Sequence, residues 1–188
     1  MDTYSPLEKA VDEDGSTVDS DFTPPPSVTE SDMVETTQLQ PRPDPDTPPV
    51  QGNTYIVKSA TTDEVIALVG GEIRLQRPEE VGAFEWLCIG AEGGYIGFKN
   101  IISGKLLGRD RSWRLACYAD GHNMWEWFHP RHRSGQGYVL FMIDFWEKRP
   151  VAVVEYGGRR CPAMIKCGDG NELVWQFIKV QDPMLQGK

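Results

Sequence analysis

The sequence predicts an all-β domain, a β-trefoil of three four-stranded repeats and twelve strands, behind a disordered N-terminal tail. Three observations predict it: an abrupt change of composition near residue 52, short apolar runs separated by turn formers, and a motif set that recurs three times.

Composition divides the chain. Residues 1–51 hold twelve Asp and Glu against Lys9 and Arg42 alone, a net charge of −10, and nine of the fourteen prolines. The remainder holds 16 acidic and 17 basic residues, a net of +1. TPPPSV and QPRPDPDTPPV favour extended chain and sustain neither ladder nor helix. Low hydrophobicity with high net charge leaves too little apolar surface to offset chain entropy, so residues 1–51 read as a disordered acidic tail. The same tail carries Ser5-Pro6, Thr23-Pro24 and Thr47-Pro48, dipeptides that proline-directed kinases accept. Residues 52–182 read as the folded domain and 183–188 as a C-terminal tail.

From Tyr55 onward, runs of four to seven residues rich in Val, Ile and aromatics are bounded by Gly, Asp and Pro, the pattern of strands. Three segments open alike: Tyr55-Ile56-Val57, Tyr95-Ile96-Gly97-Phe98 and Tyr138-Val139-Leu140-Phe141. Three close alike: Phe84-Glu85-Trp86, Trp125-Glu126-Trp127 and Trp175-Gln176-Phe177. Opening and closing motifs stand 29, 30 and 37 residues apart, which places repeats over about 54–94, 95–137 and 138–181. Between them each copy has a strand, a polar turn and a strand: VIAL and EIRL, KLLG and WRLAC, PVAVV and RRCPA. Copy three alone has a longer excursion, around DFWEKRP or KCGDGNE. Since strand side chains alternate faces, the two aromatics of each closing motif share a face, and the core is the expected destination of all six.

The chemistry-bearing residues are few. His129-Pro130-Arg131-His132-Arg133 reads as a basic loop in which Arg131, His132 and Arg133 bind a phosphate or an acidic partner, or simply as a solvated connection. Trp146 and Arg149, in DFWEKRP, combine an aromatic, an acid and a cation in one candidate ligand or partner site. Packing beneath the barrel is the other reading of Trp146, and Arg159-Arg160 belongs to the same copy. Trp113 also stands outside the closing motifs. The four cysteines, Cys88, Cys117, Cys161 and Cys167, form no CxxC pair and read as reduced packing residues. A Cys88 or Cys117 pair with His129 is formally available, but both thiols lie in apolar strands where burial makes them inert. No G-x-S-x-G or Walker-type loop is present. These features predict a non-enzyme that needs no cofactor or metal. A neutral domain gives no case for nucleic-acid or membrane binding. The acidic N-terminus reads as no secretory signal, so a monomer in the cytoplasm or nucleus is expected.

GFKNIISGKLLGRD, Gly97–Asp110, resembles the repeat signature of fascin-like, actin-crosslinking-type β-trefoils: apolar strand, Asn, Ser-Gly-Lys turn, Leu-Leu, then an acid. With WEWF downstream the resemblance covers residues 53–181, and the chain is similar to small single-domain β-trefoil proteins of filamentous fungi. It implies a binding module that recognises a protein partner such as a filament. Fascins that crosslink filaments carry several trefoils in tandem; this chain has room for one. Ricin-B-like lectins share the three-fold design and imply carbohydrate binding instead. Their Q-x-W glutamine is replaced here by Gly82, Asn123 and Leu173. An accessory protein or enzyme of a fungal biosynthetic pathway is a third reading.

Overall fold

A computed structural model of the chain describes residues 44–168 and 172–181. The tail expected over 1–51 therefore lies outside the described residues as far as residue 43, as do residues 169–171 in KCGDGNE, residue 182 and the tail 183–188.

Twelve strands follow in order: β1 Thr54–Ser59, β2 Val65–Val69, β3 Glu72–Gln76, β4 Glu85–Gly90, β5 Ile96–Asn100, β6 Leu106–Arg109, β7 Leu115–Ala119, β8 Phe128–Arg133, β9 Gly137–Asp144, β10 Glu147–Tyr156, β11 Arg159–Met164 and β12 Val174–Lys179. Pairing runs β1–β4–β5–β8–β9–β12 and back to β1, all antiparallel, so six strands close a barrel without an edge. The other six form three hairpins, β2–β3, β6–β7 and β10–β11. Gly70-Gly71 and Gly157-Gly158 turn two of them with positive φ at both positions, the two-residue turn whose twist matches the flanking strands. The molecule is a β-trefoil.

The ladder sets the register of the repeats. Tyr55 lies opposite Trp86, Ile96 opposite Phe128, and Tyr138 opposite Trp175. Across the next seam Trp86 faces Asn100, Phe128 faces Met142 and Trp175 faces Ser59. Trp86, Phe128 and Trp175 are thus equivalent, and all three are buried. Phe98 of the second repeat stacks on Phe177 of the third at 5.8 Å, and Tyr55 of the first meets Phe177 edge-on at 5.9 Å, tying the three repeats together at the core.

This register corrects the expectation that all six closing aromatics point inward. In copy two the chain from Met124 to Glu126 is a short 3-10 turn, Trp125 is 37% exposed, and Phe128 takes the core position. Trp127 and Phe84 are only partly buried. Copy two opens one residue late, Ile96 standing where Tyr55 and Tyr138 stand. The closing core place falls on the last residue of Phe84-Glu85-Trp86, the first of Trp175-Gln176-Phe177 and, in copy two, Phe128 just past its motif. The proposed basic loop is likewise a strand, β8, since Arg131 pairs with Val139 and Arg133 with Gly137.

The chain ahead of β1 lies on the barrel. Asp46 Oδ1 accepts from Gly135 N at 3.0 Å and sits 2.7 Å from His132 Nε2. The Tyr138 hydroxyl donates to Asp46 O at 2.9 Å, and the Tyr55 hydroxyl donates to Pro48 O at 3.3 Å while accepting from Val50 N at 2.9 Å. Two core tyrosines thus spend their polar ends on this strap, as buried aromatic hydroxyls must.

Candidate functional site

Copies one and two turn out of their opening strands on a buried polar residue. Ser59 Oγ accepts from Thr62 N at 3.1 Å, and Asn100 Oδ1 accepts from Ser103 N at 3.0 Å. These side chains offer the backbone a partner other than the ladder. The equivalent residue in copy three is Met142, which offers none. There β9 and β10 keep pairing through Met142–Arg149, Ile143–Lys148 and Asp144–Glu147. DFWEKRP is consequently a tight hairpin with Phe145-Trp146 as its two-residue tip. Phe145 has φ 56°, and among these two only it is positive. That is the pattern of a type II′ turn, which favours glycine at this place. Phe145 is 76% exposed and Trp146 97% exposed, which removes the reading of Trp146 as packing beneath the barrel.

A buried ionic cluster carries the tip. Asp144 Oδ1 accepts from Arg109 Nη2 at 3.1 Å, and Asp144 Oδ2 lies 3.1 Å from Arg149 Nε in an ion pair without a well-directed hydrogen bond. Arg149 Nη2 also donates to Glu147 at 2.9 Å. Each guanidinium covers an indole: Arg149 over Trp113 at 4.4 Å and Arg109 over Trp125 at 4.6 Å. Burial pushes the Glu126 carboxyl above its ordinary range, against hydrogen bonds from backbone N–H groups and the nearby charge of Arg109. Arg109 and Arg149 pair with Asp144 and Glu147, two cations against two carboxylates, which leaves the base of the tip close to neutral. Its role is to fix Asp144, the residue from which Phe145 departs. The sequence reading found Trp146, Arg149 and Trp113 but missed Phe145, Arg109, Asp144 and Trp125. The Asp-Phe-Trp-Glu spelling, an aromatic pair between two acids, is the signal that could have found the tip.

Arg131, His132 and Arg133 do not join this site. They pair with the start of β9, whereas the tip follows its end. Six residues separate Val139 from Phe145, roughly 20 Å of strand. His132 binds Asp46, Arg133 pairs with Glu172, and Arg131 makes no ion pair among the described residues. The His132 hydrogen bond, followed by that from Gly135, holds the Asp46 carboxyl below its ordinary range.

A second aromatic surface lies beside β8. Tyr95 stacks on Trp127 at 5.3 Å and 11°, and a groove of about 570 Å³ runs along His122, Asn123, Met124, Trp125 and Trp127. Burial lowers the pKa of His122 and of His129. Burial pushes the Cys88 thiol up to about 11 and raises Cys117 as well, so neither is a thiolate at neutral pH. Among the described residues no cysteine forms a hydrogen bond with a histidine, and no cluster of three His, Cys, Asp or Glu could hold a metal. No described helix is long and apolar enough to cross a membrane.

No family model and no curated protein matches the sequence. Solved structures do resemble it in fold. The Macrolepiota procera ricin B-like lectin, crystallised with lactose, is 16% identical, with a TM-score of 0.57 over 71% of this chain and all of that one. The BEL β-trefoil is 13% identical at TM-score 0.58, covering 73% of this chain and 99% of its own. ThreeFoil, a designed three-fold symmetric protein, is 9% identical at TM-score 0.55, covering 68% and 99%. At these identities the likeness is one of fold, and the fold this chain shares with them is the β-trefoil.

Proposed function

We propose that the chain is a non-catalytic recognition module that docks on a protein partner through the Phe145-Trp146 hairpin tip. The observation that carries this reading is the pairing of two exposed aromatics with a left-handed Phe145 on a buried Arg109–Asp144–Arg149 base. Nothing in packing requires the arrangement: glycine would suit the turn better, and a polar residue would suit the solvent better. Strain and apolar exposure kept together at one point are the signature of an anchor that fills a pocket elsewhere. The near-neutral base suits an apolar pocket on a protein.

The resemblance of Gly97–Asp110 to fascin-like repeats makes filamentous actin the first partner to test. In co-sedimentation the full chain is expected to pellet with filaments and Trp146→Ala to stay in the supernatant. A full chain that remains soluble beside filaments sinks the filament reading. Carbohydrate binding is the second reading, supported by the Tyr95–Trp127 stack beside His122 and Asn123 and by the lectins that share the fold. A glycan array separates the two: a hit lost in Trp127→Ala and kept in Trp146→Ala would favour the lectin reading.

A further inference from the structure

The three hairpins meet in a groove of about 590 Å³, lined by Arg74, Arg114, Arg159, Arg160, Tyr156 and Glu72, with Asp110 at its side. Arg74 lies on β3, Arg114 immediately precedes β7 and Arg159 opens β11, so each repeat contributes a guanidinium. Their placement is not accounted for by stability, since exposed ion pairs of this kind are worth little.

Two of these cations are fixed or uncommitted. Arg114 donates through Nε and Nη2 to Asp110 Oδ2, at 3.1 and 2.9 Å, while its guanidinium covers the Tyr156 ring at 4.5 Å. Its Nη1 makes no hydrogen bond among the described residues. The Arg159 side chain makes neither hydrogen bond nor ion pair among the described residues. The Glu72 carboxylate lies in the same groove: Arg74 Nη2 donates to it at 2.9 Å, and Arg159 and Arg114 line the groove with it. The Glu72 side chain is exposed and its one ion pair among the described residues is with Arg74, so a stronger oxyanion can take its place.

We infer that this groove is a binding site for a phosphate group, in which Arg74, Arg114 and Arg159 line the space and the phosphate replaces the Glu72 carboxylate as the partner of Arg74. Arg160 is paired with Glu64 at 3.0 Å, so Arg74, Arg114 and Arg159 face Asp110 and Glu72, and once a ligand displaces Glu72 two positive charges remain to match a phosphate dianion. Guanidinium forks suit its tetrahedral oxygens, and a preset Arg114 loses little freedom on binding. The groove shares no residue with the Phe145-Trp146 tip, so the two proposals stand or fall separately.

Calorimetric titration of the full chain at low salt with inorganic phosphate and with glucose 6-phosphate tests it. Saturable binding with Kd below about 10 mM is expected for at least one of them, and the pair distinguishes a free ion from an ester. Arg159→Gln is expected to weaken binding by about tenfold, the worth of one charge-assisted hydrogen bond. Glu72→Gln is expected to tighten it by removing the internal competitor. Glu79→Gln, an exposed acid outside the groove, should leave it unchanged. Absence of saturable binding of both probes would overturn the inference, as would Arg159→Gln and Glu72→Gln variants that bind like the parent protein.

Discussion

Trp86 and Trp125 sit in motifs of nearly the same spelling and meet opposite environments. Trp86 is fully buried, and its Nε1 donates to Ile66 O at 2.9 Å. Trp86→Ala should therefore cost about 3–5 kcal/mol through the cavity it leaves. Trp125 covers Arg109 with one face and shows the other to water, so Trp125→Ala should cost only about 1 kcal/mol, chiefly its cation–π contact. Urea denaturation of both variants measures the difference, and equal losses would contradict the assigned register. The thiols give a second check at this scale. Cys167 is exposed, Cys161 partly so, and Cys88 and Cys117 are buried with raised pKa values. Alkylation at pH 8 should modify Cys167 first and leave Cys88 and Cys117 intact until the chain unfolds, as mass spectrometry of the time course would show.

At the scale of elements, the β9–β10 hairpin and the Asp44–Gln51 strap are what distinguish this trefoil. Phe145 holds a left-handed backbone that costs a non-glycine residue about 1–2 kcal/mol, and its ring gains little from the packing it lacks. Phe145→Gly should raise stability by up to about 1 kcal/mol after the extra chain entropy of glycine is subtracted. A lower melting temperature would mean that the ring packs. The strap makes a different prediction. A chain beginning at Gly52 leaves the Tyr55 and Tyr138 hydroxyls without their strap partners, and should lose about 1–2 kcal/mol relative to one beginning at Asp44. The strap is also acid-sensitive. The Asp46 carboxyl is depressed in the folded chain, so its contribution is present above the ordinary carboxylate pKa and is lost as pH falls through the lower, folded value. Tyrosine fluorescence or amide exchange across pH 2–6 should show the strap loosening at the acid end, and Asp46→Asn should remove that pH dependence.

At the scale of the molecule, the three-fold plan was legible in the sequence because strands, turns and aromatics recur in the same order three times. Turn chemistry such as Gly70-Gly71 fixes hairpins locally. The offset of copy two was not legible: WEW and the opening Tyr95 spell the repeat motifs, and only cross-strand pairing reveals that Ile96 and Phe128 hold the core places. The tip was half legible. Trp146 stood out by composition, but its exposure depends on Met142 replacing the loop-turning Ser59 and Asn100 of the other copies, a comparison that requires the ladder. Arg109 and Asp144, 35 residues apart, meet only in the folded chain. The central claim, that the tip serves recognition and not packing, is tested most directly by one paired measurement on Phe145→Gly/Trp146→Ser: its melting temperature, and its co-sedimentation with actin filaments from the same preparation. The expected result is a melting temperature equal to or above that of the parent together with loss of filament binding. A melting temperature lower by more than about 4 °C, or filament binding retained at the parent level, would contradict the claim.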